Sequence, residues 1–396
     1  MRILHTADWH LGRTLEGRSR GEEQEAFLDE LVALVREEQI DLVLMAGDAY
    51  DSVNPPASAE KLFYDGLSRL AEGGKRKVAV IAGNHDNPER LAASWPLAEK
   101  QGITLVGLPI PHLQTLTIER TGEQATLLAL PYPSESRLSE LLADEADEAS
   151  LRTAYSDRIK NLVAKTCAGF KSDTVNLIMS HLYVLGGAES ESERPIQVGG
   201  AYTVDTAALC AKAQYVALGH LHRPQTMKAG DLIRYSGSPL AYSFSEAGQA
   251  KSVTILEVEP GKPAAMQELP LSCGRPLVHW KAKGGLAEVH RWLEEGRDHR
   301  AWIDLELHLG DSLSMEQIQS LRRHHTGIIH IRPVYPEMEA METIREAQVP
   351  MDEMFRRFYA RQTGGAQPDT ELVQLFMELL HETAELEAAA GKEEGA

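Results

Sequence analysis

Five short motifs gather the residues of this chain that are equipped for metal chemistry: Asp8-Trp9-His10, Gly47-Asp48-Ala49-Tyr50-Asp51, Gly83-Asn84-His85-Asp86, Ser180-His181 and Gly219-His220-Leu221-His222. They supply Asp8, His10, Asp48, Asn84, His85, His181, His220 and His222. That is enough oxygen and nitrogen for two adjacent cations, with the Asp48 carboxylate able to bridge them. Two ions about 3.5–4 Å apart clamp the attacking and leaving oxygens of a phosphoester displacement. Carboxylate, amide and imidazole donors suit a borderline ion such as manganese. The motifs contain no thiolate, which argues against a structural zinc site. Taken singly they are weak signals: Asp-x-His is common, and Gly-Asn-His-Asp also fits a plain turn. Their common placement is what carries the reading.

Each motif follows a short apolar run. Arg2–Thr6 precedes Asp8 and His10, Leu42–Ala46 precedes Asp48, and 77–82 precedes Asn84 and His85. Residues 175–179 lead to His181, and 215–218 lead to His220 and His222. Runs of this length and composition read as buried strands. Layered α/β proteins place their sites past the carboxyl ends of such strands. Gly47, Gly83 and Gly219 are expected to let the backbone turn sharply there. Helix patterns at 21–39, 57–72 and 88–100 separate the first strands, and 134–170 is polar, acidic and helix-leaning. The polar segment 186–203 is expected to lie over the cleft. Strands at 225–228, 232–236 and 253–258 complete the sheet pattern. His5 reads as a packed strand residue, and His324 and His325 as solvated residues closing a helix.

On these motifs the chain resembles the calcineurin-like metallophosphoesterases, whose fold is a β-sandwich flanked by helices, and within them the Mre-type nucleases. The run from Met1 to Gly12 and the segment Tyr235-Ser-Gly-Ser-Pro-Leu-Ala-Tyr-Ser-Phe-Ser-Glu246 carry the closer likeness. It is strong over residues 1–260 and looser beyond. Ala49 stands where a larger apolar residue is more usual. The resemblance implies that Asp8, His10, Asp48 and His222 hold one ion, and Asp48, Asn84, His181 and His220 the other. It implies two divalent ions, Mn²⁺ foremost, and a catalytic role for His85 as a non-ligand that meets the phosphate or the leaving oxygen. Asp51 and Asp86 are expected to steady the imidazoles or to act as turn residues. The implied activity is a DNA exonuclease and endonuclease acting at ends and hairpins in repair and recombination. The implied partners are DNA, an SbcC-type coiled-coil ATPase and a second copy of the chain, as a homodimer within a heterotetramer.

Composition bounds the reading. A chain of 396 residues suggests two or three units. Cys167, Cys210 and Cys273 are widely spaced and read as reduced thiols. No leader pattern precedes the first strand and no run reaches 18 apolar residues, so a cytoplasmic protein outside the membrane is expected. The net charge of −19, from 40 basic and 59 acidic residues, opposes DNA binding by this chain alone. Part of that acid is local, at Asp144–Glu148 and in the tail from Glu382 to Glu394. A basic partner or a dimer would supply phosphate contacts.

The organisation expected is a metallophosphoesterase domain at 1–262, a small β-α-β-α-β cap at 275–336, a C-terminal helix pair at 350–388 and a disordered tail at 389–396. The cap pattern runs strand 277–281, helix 285–296, strand 301–308, helix 314–323, strand 327–334. In the helix pair, Met351, Met354, Phe355, Phe358 and Tyr359, then Leu372, Leu375, Phe376, Leu379 and Leu380, repeat a helical spacing. The resemblance makes this pair the grip on the ATPase; packing on the cap is the alternative. Leu62, Phe63, Gly66, Leu67 and Leu70, with Leu91 and Trp95, are the expected self-association face, packing on their own sheet being the alternative. Two other functions stay open: a two-metal phosphodiesterase or phosphatase acting on a smaller substrate, and a non-catalytic scaffold. A scaffold predicts lost ligands, whereas all eight positions are present.

Overall fold

The computed structural model describes residues 1–109, 112–134, 148–196, 202–229, 232–335, 355, 356, 359, 368–370 and 372–376. The chain forms two compact units. The first takes Met1–His279 with Asp298–Asp304 and Gly327–Ile329; the second takes Trp280–Arg297, Leu305–Thr326 and the described residues from His330 onward.

In the first unit the runs Leu42–Ala46 and Lys77–Ile81 lack polar alternation, as strands covered on both faces do. They pair in parallel with each other, with Arg2–Thr6 on one side and with Ile103–Val106 on the other. Ser252–Glu257 joins antiparallel to Arg2–Thr6, and Ala265–Pro270 closes that edge, giving a six-stranded sheet. A second six-stranded sheet runs Gln225–Met227, Ile233–Tyr235, Tyr215–Gly219, Val175–His181, Gln124–Leu130, Leu113–Thr117. Side chains alternate across each strand, so each sheet fills two cores. Ile3, Leu44 and Ile81 meet Leu127, Leu177 and Ala217 between the sheets. On the outer faces, Leu4, Met45 and Val80 pack against Phe27, Leu31 and Phe63 from the helices Gly21–Glu37 and Ala57–Ala71. Leu128, Ile178 and Val216 pack against Tyr155, Ile159 and Val163 from the helix Glu148–Cys167. This is the helix-flanked β-sandwich that the resemblance implies.

Three differences from the sequence expectation have physical reasons. The helix expected over 88–100 is broken into Pro88–Ala92, Trp95–Ala98 and a tight turn at Glu99–Gln101. Pro96 has no N–H to return to Ala92 O, so the helix from Pro88 stops short of it and a new helix starts with Pro96 in its first turn. The strands Ile103–Val106, Leu113–Thr117, Gln124–Leu130 and Ala265–Pro270 lie outside the expectation. Ala265–Pro270 is an edge strand exposed along nearly all its length, so it carries no apolar alternation to read. Last, Phe63, Leu67 and Leu70 of the expected self-association face are buried in the chain's own core, and Gly66 lies against Leu28.

A three-stranded sheet runs Leu277–Ala282, Trp302–His308, Ile328–Val334, and the helices Gly285–Glu294 and Met315–His324 alternate with its strands in sequence. Each element falls within about two residues of the pattern read for 277–334. In the second unit Trp280 meets Trp292 edge-on at 5.2 Å, with Arg297 over the Trp292 ring at 4.4 Å. His325 is not solvated: it leaves the helix with extended backbone (φ −142°) and turns its ring against Trp280. Phe355 and Phe376 stack at 4.2 Å and 13°. Most of the rest of the expected helix pair, the tail 389–396 and most of Asp144–Glu148 lie outside the described residues.

Candidate metal centre

The centre is built where the strands end. Asp8, His10, Asp48 and His220 adopt φ of 54°, 44°, 52° and 109°. Such backbone costs on the order of 1–3 kcal/mol at each non-glycine residue and persists only where the surroundings impose it. Here they do. The first two motifs are zipped together by Asp8 N–H to Gly47 O, His10 N–H to Asp48 O and Leu11 N–H to Ala49 O, each 3.0 Å. The Asp86 carboxylate accepts the N–H groups of Gly83, Ala49 and Tyr50 at 2.9, 3.1 and 3.0 Å, tying the third motif to the second. Burial, reinforced by the nearby Asp48 charge, pushes the Asp86 carboxyl up to about 7. Of the three motif glycines only Gly47 needs a positive φ, at 91°. Gly83 and Gly219 are required by close approach: a Cβ would sit 2.0 Å from Asp48 Oδ1 at the first and 1.8 Å from Ala46 O at the second.

The structure places the eight expected residues in one cluster, all buried but Asn84, which is half-buried. Asp8, His10 and His222 present donor atoms within 4.8 Å of one another, and so do Asp8, Asp48 and His181, and His10, Asp51 and His85. Asp48 Oδ2 reaches from the second group toward the first, 3.5 Å from His181 Nε2 and 3.7 Å from His10 Nε2. Asn84 joins through Oδ1, 2.8 Å from His181 Nε2. His220 lies outside those compact groups; its ring is 5.5 Å from that of His181, and its backbone N–H reaches both Asp8 oxygens at 3.0 and 3.1 Å. His85 donates from Nδ1 to Asp51 O at 2.8 Å, and its Nε2 stands 4.0 Å from Asp48 Oδ2. The carboxylates next to the motifs differ from expectation in what they hold. Asp86 secures backbone rather than imidazole, and Asp51 steadies His85 through its carbonyl.

The electrostatics fit cations. Burial, then neighbouring positive or imidazole groups, holds His10, His220 and His222 well below the usual histidine range. They are neutral, the form that ligates metal. Burial and then Asp48 hold the Asp8 carboxyl well above its ordinary range. His10 Nε2 and His222 Nε2 face each other at 3.0 Å. His10 Nδ1 and Asn84 Nδ2 are buried without a hydrogen-bond partner. Divalent ions would neutralise the carboxylates and be ligated by these imidazole nitrogens, so these residues fit the implied metal.

A second layer of residues escaped the sequence reading. Ser192 Oγ lies 2.6 Å from His222 Nδ1, and Glu193 Oε1 accepts the His222 N–H at 2.8 Å. Tyr242 sets its ring 5.4 Å from His10 and 5.9 Å from His222, and its hydroxyl donates to Trp9 O. Lys251 donates to His222 O and Ser238 Oγ, both at 3.0 Å, and pairs with Glu246. Tyr235 accepts from Val184 N–H and donates to Leu182 O, anchoring the chain after His181. The segment Tyr235–Glu246 was visible in sequence as a resemblance, and it acts as a brace for the loops that carry His10 and His222. Ser192 and Glu193 had no signal, because a polar loop is rich in such residues.

Comparison with known proteins agrees with this geometry. The family described as calcineurin-like phosphoesterase matches residues 1–224, and a domain described as the type 5 capsule protein repressor C-terminal domain, SbcD_C, matches residues 273–363. A protein of Bacillus subtilis (strain 168), named as the SbcD subunit of the nuclease SbcCD, is 56% identical over 381 residues, 96% of this chain and 97% of that one. Its namesake from Rhodobacter capsulatus is 37% identical over 299 residues, 72% of each chain. The chain belongs to the calcineurin-like phosphoesterase family and, within it, to the SbcD nucleases, hydrolases that act on phosphodiester bonds. No described helix is long and apolar enough to cross a membrane.

Proposed function

We propose that this chain is a manganese-dependent DNA nuclease, cutting phosphodiester bonds exonucleolytically at DNA ends and endonucleolytically at hairpins, in repair and recombination, together with an SbcC-type ATPase. The observation that supports it most is the reach of Asp48 from one group of metal-binding side chains toward another, with His85 beside it. Asp8, His10, Asp48 and His222 would hold one ion, and Asp48, Asn84, His181 and His220 the other. Bound there, two ions would polarise the phosphate and lower the pKa of an attacking water. The protein's own part is positional. His85 has Nδ1–H committed to a carbonyl, so Nε2 is the nitrogen that meets the substrate; as imidazolium it would give its Nε2 proton to the leaving oxygen and be left neutral with Nδ1–H in place. Asp86 and Tyr242 fix the loops on which the donors ride.

The relatives carry the name of one component of SbcCD, which supports the ATPase partner. Residues 1–262 would be the nuclease domain, 275–336 a cap that guides DNA, and 350–388 the docking helices. Self-association, as a homodimer within a heterotetramer in the cytoplasm, would use side chains the fold leaves exposed, Tyr64, Trp95 and Leu97. The test is release of nucleotides from linear and hairpin DNA by the purified chain with Mn²⁺, with and without an SbcC-type partner. A chain that cleaves a small phosphodiester but leaves DNA intact, alone and with the partner, overturns this reading in favour of a small-molecule phosphoesterase. Deleting 350–396 should abolish capture of the partner while small-substrate cleavage survives.

A further inference from the structure

The strap that crosses His222 holds more than a contact. A hydroxyl has one proton, and an ionised carboxylate has none. Ser190 Oγ lies 2.7 Å from Glu193 Oε2, and the same carboxylate takes the N–H groups of Ser190 and His222, so as their shared acceptor it takes the Ser190 proton as well. Ser192 Oγ lies 2.8 Å from Ser190 Oγ and 2.6 Å from His222 Nδ1. Ser190 needs a donor from Ser192, so Ser192 in turn spends its proton on Ser190. The Ser192 oxygen is then left to accept, and only His222 Nδ1–H can donate to it. With Glu193 ionised and all three contacts made as hydrogen bonds, the count puts the His222 proton on Nδ1 and leaves Nε2 bare. That nitrogen is the one that faces His10 Nε2 at 3.0 Å. Glu193 closes the circuit from the other side, accepting the His222 backbone N–H at 2.8 Å. Arg13 pins the strap through Nη2 to Ser192 O at 2.7 Å. Ser192 and His222 are buried, and Ser190 and Glu193 are half-buried.

We propose that Glu193, Ser190 and Ser192 form a hydroxyl relay that positions His222 for metal by setting its tautomer. Carboxylates commonly orient metal-binding histidines directly; here two serines stand between carboxylate and ring. The three are positioning residues and act through His222. The inference rests on the proposed metal-binding role of that residue, so its test is read in two ways. The first reads the ring nitrogens of His222 by ¹⁵N NMR in the full chain before metal is added. Wild type should show Nδ1 protonated. Ser190→Ala touches no part of His222, yet it frees the Ser192 proton, and His222 should shift toward protonation on Nε2. The second is titration with manganese alone. Ser192→Ala and Ser190→Ala should each weaken one of two ions about 10- to 100-fold, and Ser192→Thr should restore it. A wild-type His222 protonated on Nε2, or Ser190→Ala with an unchanged ring and unchanged affinity, overturns the relay. Loss of affinity in Ser192→Ala alone also overturns it, because packing would then explain the effect. A wild-type chain with the expected tautomer that binds no manganese defeats the proposed function and leaves the tautomer assignment standing.

Discussion

The strands Arg2–Thr6 and Tyr215–Gly219 each carry two kinds of buried polar residue. Within the strands lie His5 and Tyr215; just past their ends lie Asp8 and His220. His5 Nδ1 meets the Tyr215 hydroxyl at 2.8 Å, and nearby Arg234 donates to Thr254, Thr226 and Glu268. Its backbone is ordinary. Burial, and then the Arg234 charge, push the His5 imidazole down to about 3. Past the strand ends the same depth of burial comes with left-handed backbone at four residues and with imidazole nitrogens and carboxylates converging on one another. The lesson is that a buried histidine, even one with a strongly shifted pKa, does not by itself mark a site. What marks one is convergence of donors on one point together with backbone held in a costly conformation. The inner cluster should therefore govern stability, and the outer one function.

The largest expected effect breaks the outer cluster at its shared carboxylate. Asp48→Ala should lose both ions together and lower cleavage more than about a thousandfold, since each ion supplies several kcal/mol of charge stabilisation. His10→Ala should lose chiefly one. Native mass spectrometry counts the ions, and equal single losses in both variants would end the bridging role. Next, His85→Ala should keep both ions and lose about 10²–10⁴ in rate; full activity at matched metal content would remove His85 from the chemistry. Gly83→Ala should follow. Its Cβ cannot share space with Asp48 Oδ1, so overpacking should cost about 1–3 kcal/mol and weaken metal binding. Gly310→Ala, where nothing lies within 4 Å of the added carbon, is the control and should be near neutral in both.

The smallest effect sharpens the other side of the comparison. His5 takes up a proton near 6.5 when unfolded and only near 3 when folded. Between those values the unfolded state binds the extra proton, so stability falls as pH falls, by up to about 1.4 kcal/mol per pH unit from this residue. Above pH 6.5 the contribution is complete. Other buried histidines slope the same way, so the comparison is made against His5→Gln. Denaturant midpoints from pH 7 to pH 4.5 should be flatter in the variant, and cleavage of a small phosphodiester at pH 7.5 should be unchanged. A variant with the wild-type slope would place the acid sensitivity elsewhere.

Much of the centre was legible because its chemistry is concentrated in short motifs and its scaffold in uniform apolar runs. Leu42–Ala46 could hardly be anything but a strand covered on both faces, and Asp48 had to follow it. The β-α-β-α-β pattern over 277–334 was legible from periodicity alone. What escaped was whatever depends on contacts between distant segments. Ala265–Pro270 is a strand only because Ser252–Glu257 lies beside it. Gly83 and Gly219 look like turn glycines in sequence and are clearance glycines in space. Phe63, Leu67 and Leu70 form an apolar face that sequence cannot assign to one's own core or to a partner. Ser192 is one serine among several in a polar loop, and its meaning comes from His222 thirty residues on.

The left-handed backbone at Asp8, His10, Asp48 and His220 has a consequence for the protein's heat tolerance. The cage is held by hydrogen bonds within the chain, so an ion bound there adds to the stability of the fold. By mass action that gain is about 2.7 kcal/mol when a free ion exceeds its dissociation constant a hundredfold. The melting temperature should then track free manganese and fall under chelation with the fold still cooperative. The thermal midpoint becomes a gauge of how well supplied with metal the molecule is.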